Sequence, residues 1–71
     1  MTDSFELLDV VAVLHDLPAE KLRKGSLGTI VELFDNQTFL VEFADPDGVP
    51  YAMPILAQDQ VLKIYQTPVE A

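Results

Sequence analysis

Gly25-Ser26-Leu27-Gly28-Thr29-Ile30-Val31-Glu32-Leu33-Phe34-Asp35-Asn36-Gln37-Thr38-Phe39-Leu40-Val41-Glu42-Phe43-Ala44-Asp45 reads as a β-hairpin, with strands over 27–34 and 38–43 and a tight turn at Asp35-Asn36-Gln37. β-Branched and aromatic residues fill both runs, and turn formers bound them. Strict alternation in the second run puts Phe39, Val41 and Phe43 on one face and Leu40 and Glu42 on the other. In the first run Ile30, Val31, Leu33 and Phe34 are all apolar, so both parities compete for the core. A bulge or strong coiling is expected there, at a position the pattern does not give. Glu32 and Glu42 are expected to face each other across the hairpin, a like-charge contact that a cation or a basic partner would relieve.

The rest of the chain is placed by its relation to this hairpin. Upstream, Asp9-Val10-Val11-Ala12-Val13-Leu14 reads as a first strand, apolar at both parities and so either covered on both faces or curled so that each face is buried in turn. Residues 1–8 read as a lead-in. Thr2, Asp3 or Ser4 is available to cap one helical turn, and Phe5, Leu7 and Leu8 are expected to close one end of the core. Residues 15–24 form a long polar loop. Asp16-Leu17-Pro18 marks a turn within it, and 19–22 suit a single helical turn. Gly25 and Gly28 bracket the start of the next strand, where a glycine supplies positive φ or a sharp bend.

Downstream, Asp45-Pro46-Asp47-Gly48 is the clearest turn. A fourth strand over 51–56 is interrupted by Pro54, which makes it an edge or bulged strand. Ala57-Gln58-Asp59-Gln60 reads as a 3₁₀ turn, 61–65 as the last strand and 67–71 as a frayed tail. The expectation is all-β: a small five-stranded SH3-like barrel over 9–66, with one short 3₁₀ turn before the last strand. A lead-in over 1–8 precedes it, and the tail follows.

Composition limits function more than it defines it. At 71 residues the chain makes one domain, of a size that buries only about 60% of its unfolded surface. It has no cysteine, so neither disulfides nor thiolate metal sites support the core. Its 49% hydrophobic content argues against disorder and leaves room for an apolar patch that a partner covers. Twelve acidic residues against four basic ones give a net charge of −8. That balance disfavours nucleic acid and anionic membranes, and it suits a basic partner protein or simple solubility. Met1-Thr2-Asp3-Ser4 lacks a basic signal-peptide start, and no apolar run reaches membrane-spanning length. A cytoplasmic protein is expected.

The order Leu8-Asp9-Val10-Val11-Ala12-Val13-Leu14 … Asp16-Leu17-Pro18 … Gly25-Ser26-Leu27-Gly28-Thr29-Ile30-Val31-Glu32 resembles a family of small bacterial proteins, common in cyanobacteria, known as the domain of unknown function DUF4926. Val41-Glu42-Phe43-Ala44-Asp45 … Asp47-Gly48 … Tyr51-Ala52 continues the resemblance, which spans roughly 5 to 65. Gly-x-x-Gly-Thr-Ile-Val is also similar to a strand of other SH3-like barrels, including KOW-type modules and the nitrile hydratase β-subunit. Those relatives imply an accessory or adaptor role by analogy, and the family offers no functional residue to carry across.

No residue set makes a catalytic constellation. His15 is the only histidine and stands beside Asp16. A His–Asp pair can act as a general base, yet Ser4 and Ser26 have no nucleophile context. Asp45 and Asp47 suggest a calcium loop, but Pro46 intrudes and no glutamate follows at the twelfth position. No catalytic, cofactor-binding or metal-binding residue is assigned. The residues with a partner-binding reading are Lys21, Arg23 and Lys24 in the long loop, and Tyr51 and Tyr65, whose hydroxyl edges suit a surface. Phe34, Phe39, Phe43, Tyr51 and Tyr65 are all needed mostly for the core, and a proline-peptide shelf lacks tryptophan.

The function expected is a non-enzymatic interaction module, acting as adaptor or accessory subunit on a protein partner or on its own copy. An antitoxin- or immunity-like protein that neutralises a basic partner, and a KOW-like nucleic-acid or ribosome-associated module, are the other classes.

Overall fold

The computed structural model describes residues 4–35 and 37–65. Among the described residues six antiparallel strands form one sheet: β1 (Val10–Val13), β2 (Leu27–Leu33), β3 (Thr38–Ala44), β4 (Pro50–Ala52), β5 (Ile55–Ala57) and β6 (Val61–Ile64). Their order is β4-β3-β2-β1-β6, with β5 also paired to β3. Short 3₁₀ turns occupy Pro18–Glu20 and Gln58–Gln60. The second joins β5 to β6, two strands that lie towards opposite ends of the pairing order, so the sheet must coil round a single core. Gln58 N–H donates to Gln37 O (2.8 Å) and Leu14 N–H to Gln60 O (2.9 Å), pinning this connection to the hairpin tip and to the end of β1. Ala57 N–H donates to Gln60 Oε1 at 2.9 Å.

The central hairpin has the expected strands. Its turn is organised by Asp35, whose Oδ1 accepts from Gln37 N–H (2.7 Å), Thr38 N–H (2.8 Å) and the Thr38 hydroxyl (3.1 Å). Asn36 lies outside the described residues. The undetermined bulge falls between Ile30 and Glu32. Thr29 and Ile30 oppose Glu42 and Val41, whereas Glu32 and Leu33 oppose Leu40 and Phe39, so Val31 is the extra residue. Glu32 and Glu42 are therefore diagonal neighbours and do not face each other.

The core is Val11, Val13, Leu22, Ile30, Phe39, Val41, Phe43, Leu56 and Val61. The alternation of β3 is confirmed, with Phe39, Val41 and Phe43 all buried. Gly28 shares the buried face of β2 with Ile30 because two side chains crowd it. A Cβ there would meet Phe43 Cε2 and Val41 Cγ1, each at 2.7 Å. In the Asp45–Gly48 turn, Gly48 has φ +84 and donates its N–H to Asp45 O at 2.8 Å, and Asp45 Oδ1 accepts from Asp47 and Val49 N–H.

Several expectations need correction. Leu7 and Leu8 do not close the core: they are 55% and 74% exposed, and Leu8 holds a left-handed φ of +71. Its N–H donates to Ile30 O at 2.7 Å, so backbone pairing fixes this turn while the side chain points away. Among the described residues of this segment, Phe5 alone packs on the core. No helical turn forms over residues 4–8, and the capping role given to Thr2 or Asp3 lies outside the described residues. Phe34, Tyr51 and Tyr65 are exposed and take no part in the core. The fourth strand is two short segments that flank Met53-Pro54, both paired to β3.

The long loop is more ordered than its polarity suggests. Leu17 and Leu22 exchange backbone hydrogen bonds (2.9 and 3.1 Å) across the first 3₁₀ turn, which burial of the Leu22 side chain anchors. β1 covers one face only: Val11 and Val13 are buried, Val10 and Ala12 half-buried. The tail over 67–71 lies outside the described residues.

Candidate functional site

The strand register decides which side chains share the outer face, because residues directly opposed across strands project from the same side. Ile55 opposes Leu40, and Leu40 opposes Glu32. The β3–β5 pairs Thr38↔Ala57 to Leu40↔Ile55 and the β3–β4 pair Phe43↔Ala52 keep one register, which sets Met53 opposite Glu42. Val41 N–H donating to Pro54 O at 3.1 Å fits the same register. Glu42 in turn opposes Thr29, Thr29 opposes Val10 and Val10 opposes Ile64.

The register shifts by one between Phe43↔Ala52 and Ala44↔Pro50. Tyr51 is thus the extra residue of a bulge, a device that re-aims a side chain at a sheet edge. Tyr51, Met53 and Ile55 are 44%, 47% and 63% exposed, while Ala52, Pro54 and Leu56 between them turn towards the core. Val49, also exposed, precedes the row.

The outcome is an apolar row along β4 and β5, flanked on β3 by Leu40 and the Glu42 carboxylate, with the Glu32 carboxylate one strand further on β2. Neither carboxylate has a cation: among the described residues the one ion pair joins Asp9 Oδ2 to Lys63 Nζ at 3.2 Å. From Gly25 to Leu62 the chain carries six carboxylates (Glu32, Asp35, Glu42, Asp45, Asp47 and Asp59) and no Lys, Arg or His. That gap was countable in the sequence and is the signal that marks this face.

The residues expected to bind a partner fall in three places. Lys21, Arg23 and Lys24 are exposed in the β1–β2 loop. Their backbone is held by local bonds: Lys21 N–H to Pro18 O (3.0 Å), Arg23 N–H to Ser26 Oγ (3.1 Å) and Lys24 N–H to Asp16 Oδ1 (2.7 Å). Tyr51 belongs to the apolar row. Tyr65 follows β6, at the other end of the strand order, with Lys63 Nζ 5.2 Å from its ring centroid. The Asp16 carboxylate is the acceptor of the Lys24 N–H bond, and His15 beside it is exposed.

Among the described residues, one carboxyl group and one amino group have shifted titration. The Gln37 N–H, then the Thr38 N–H and hydroxyl, hold Asp35 below the usual carboxylate value. The hydrogen bond to Asp9, followed by its charge, raises Lys63. Both shifts arise from structural bonds, away from the apolar row. Among the described residues no three or more His, Cys, Asp or Glu side chains gather to hold a metal ion, and no helix is long and apolar enough to cross a membrane.

Fold and surface together define a small all-β protein with one antiparallel sheet and an acidic, partly apolar outer face. The chain belongs to the DUF4926 family, a domain of unknown function, matched over residues 7–63. No curated protein and no solved structure matches it.

Proposed function

We propose that this protein is a non-enzymatic interaction module, an SH3-like barrel that serves as adaptor or accessory subunit by docking a protein partner on the outer face of β3, β4 and β5. The observation that carries this reading is the row Tyr51, Met53 and Ile55. Three large apolar side chains point outward from a short, proline-interrupted edge segment, although the same segment supplies Leu56 to the core. Isolated exposed apolar residues are ordinary, whereas a contiguous row beside a core strand marks an interaction surface.

The antitoxin- or immunity-like role is a special case in which that partner is harmful alone. The nucleic-acid reading gains nothing from Lys21, Arg23 and Lys24, since three loop cations neutralise few phosphates within a net charge of −8.

The test is affinity capture from the native extract with the wild-type chain, Ile55→Lys and, as a control on another face, Leu62→Lys. A stoichiometric partner held by wild type and Leu62→Lys but lost from Ile55→Lys is the expected result. A clean monomer by light scattering with no recovered partner, or a partner that Ile55→Lys still holds, would refute it.

A further inference from the structure

We infer that the surface centred on Met53 and Ile55 takes a basic protein segment with apolar side chains at its centre, and neither a polyanion nor a second copy of this chain. The inference rests on the docking surface proposed above and adds the chemistry of what fills it. Its basis is charge complementarity around one row of residues. Met53 lies opposite Glu42, and Ile55 opposes Leu40, which opposes Glu32. Glu42 therefore stands immediately beside the apolar row, and Glu32 lies one strand further on, beyond Leu40, on the same face. The turn that leads into β4 carries Asp45 and Asp47, and the turn after β5 carries Asp59, so the segments at both ends of the row are acidic. All four Lys and Arg residues lie outside Gly25–Leu62, and Lys63 is engaged by Asp9 and by Ser4 O at 2.9 Å.

An incoming Lys or Arg would meet Glu42 and Glu32 while its neighbouring apolar side chains cover Met53, Ile55 and Tyr51. Such complementarity governs partner choice and association rate more than bulk affinity. A second copy would instead bring the same carboxylates against themselves in a two-fold contact, because an isologous interface repeats one patch on both sides. Nucleic acid or an acidic peptide would meet the same repulsion.

The test uses the full chain, labelled with nitrogen-15, and two short peptides as probes. One has leucines on one helical face and lysines on the other, and its counterpart has glutamates in place of the lysines. The Leu/Lys peptide is expected to shift the amide signals of Leu40, Glu42, Tyr51, Met53 and Ile55. Its affinity should fall by about tenfold or more in Met53→Lys and in Glu42→Lys, and weaken with added salt. The Leu/Glu peptide should leave the spectrum unchanged.

Equal binding of the Leu/Lys peptide to wild type and Met53→Lys would overturn the docking surface itself, showing only diffuse attraction. Binding of the Leu/Glu peptide, or a dimer in sedimentation that Met53→Lys dissolves, would keep the surface and overturn the basic-partner assignment. Circular dichroism of each variant separates loss of binding from loss of fold.

Discussion

The rings of Phe5 and Phe39 lie 5.1 Å apart, centroid to centroid, tilted by 46°. Phe39 is fully buried on β3, and Phe5 comes from the lead-in that crosses the end of the core. The lead-in is held down by this ring contact, by Lys63 reaching Ser4 O and Asp9, and by the Leu8–Ile30 backbone bond. A tilted aromatic pair adds about 0.5–1.5 kcal/mol beyond area burial. A double-mutant cycle with Phe5→Leu and Phe39→Leu, read by urea unfolding, should return a coupling of that size. Phe39→Ala alone should cost about 3–5 kcal/mol, much of the roughly 4–10 kcal/mol available to a domain of this length.

Gly28→Ala tests the close approach of β2 and β3. Its Cβ would sit 2.7 Å from both Phe43 Cε2 and Val41 Cγ1, two core side chains with little room to yield. Overpacking of this kind costs about 1–3 kcal/mol, so a matching drop in urea midpoint with an unchanged slope is expected.

Leu8 carries strain that its side chain does not offset. At φ +71 and 74% exposed, it bears the left-handed penalty of about 1–2 kcal/mol. Leu8→Gly should be more stable than Leu8→Ala by about 1 kcal/mol, since only glycine is free of that penalty. Thermal unfolding of the two variants decides it.

Asp35 sets part of the acid limb. Its folded pKa lies below the usual 3.8 because the Gln37 and Thr38 N–H groups bind the ionised form. The stability it contributes is therefore present above 3.8 and lost as pH falls through the lower folded value. Asp35→Ala should flatten stability against pH in that window. Lys63 has the opposite sign. Its pKa is raised above 10.5, chiefly by the hydrogen bond to Asp9, so its contribution is present below 10.5 and lost as pH rises through the folded value. Lys63→Met should lose that alkaline dependence and speed hydrogen exchange at Leu8.

The outer-face variants should fold normally. Ile55 is 63% exposed, and surface substitutions away from caps, cores and strained positions fall within about 0.5 kcal/mol of wild type. Equal urea midpoints for wild type and Ile55→Lys are expected, which makes the binding tests interpretable.

Much of this architecture is legible in the chain. The period-two pattern of Phe39, Val41 and Phe43 admits one orientation of β3, and the Asp-Pro-Asp-Gly turn admits one direction reversal after it. Other features depend on tertiary context. The Val31 bulge is hidden because apolar residues occupy both parities of β2. Leu22 sits among Glu20, Lys21, Arg23 and Lys24, and only the backbone pairing of Leu17 with Leu22 carries it into the core. Leu7 and Leu8 look like core residues until the Leu8–Ile30 bond turns them outward. The outer row was obscured by Pro54, which reads as a strand breaker, yet the segment keeps its alternation because Pro54 still offers its carbonyl to Val41.

Hydroxyl-radical footprinting of the chain, free and in complex with the partner recovered from its native extract, tests the central claim most directly. Tyr51, Met53 and Tyr65 are all exposed and oxidisable in the free chain, so one experiment reads both ends of the strand order. The account predicts strong protection of Tyr51 and Met53 in the complex, with Tyr65 still reactive. Protection of Tyr65 with Tyr51 and Met53 left reactive would contradict it.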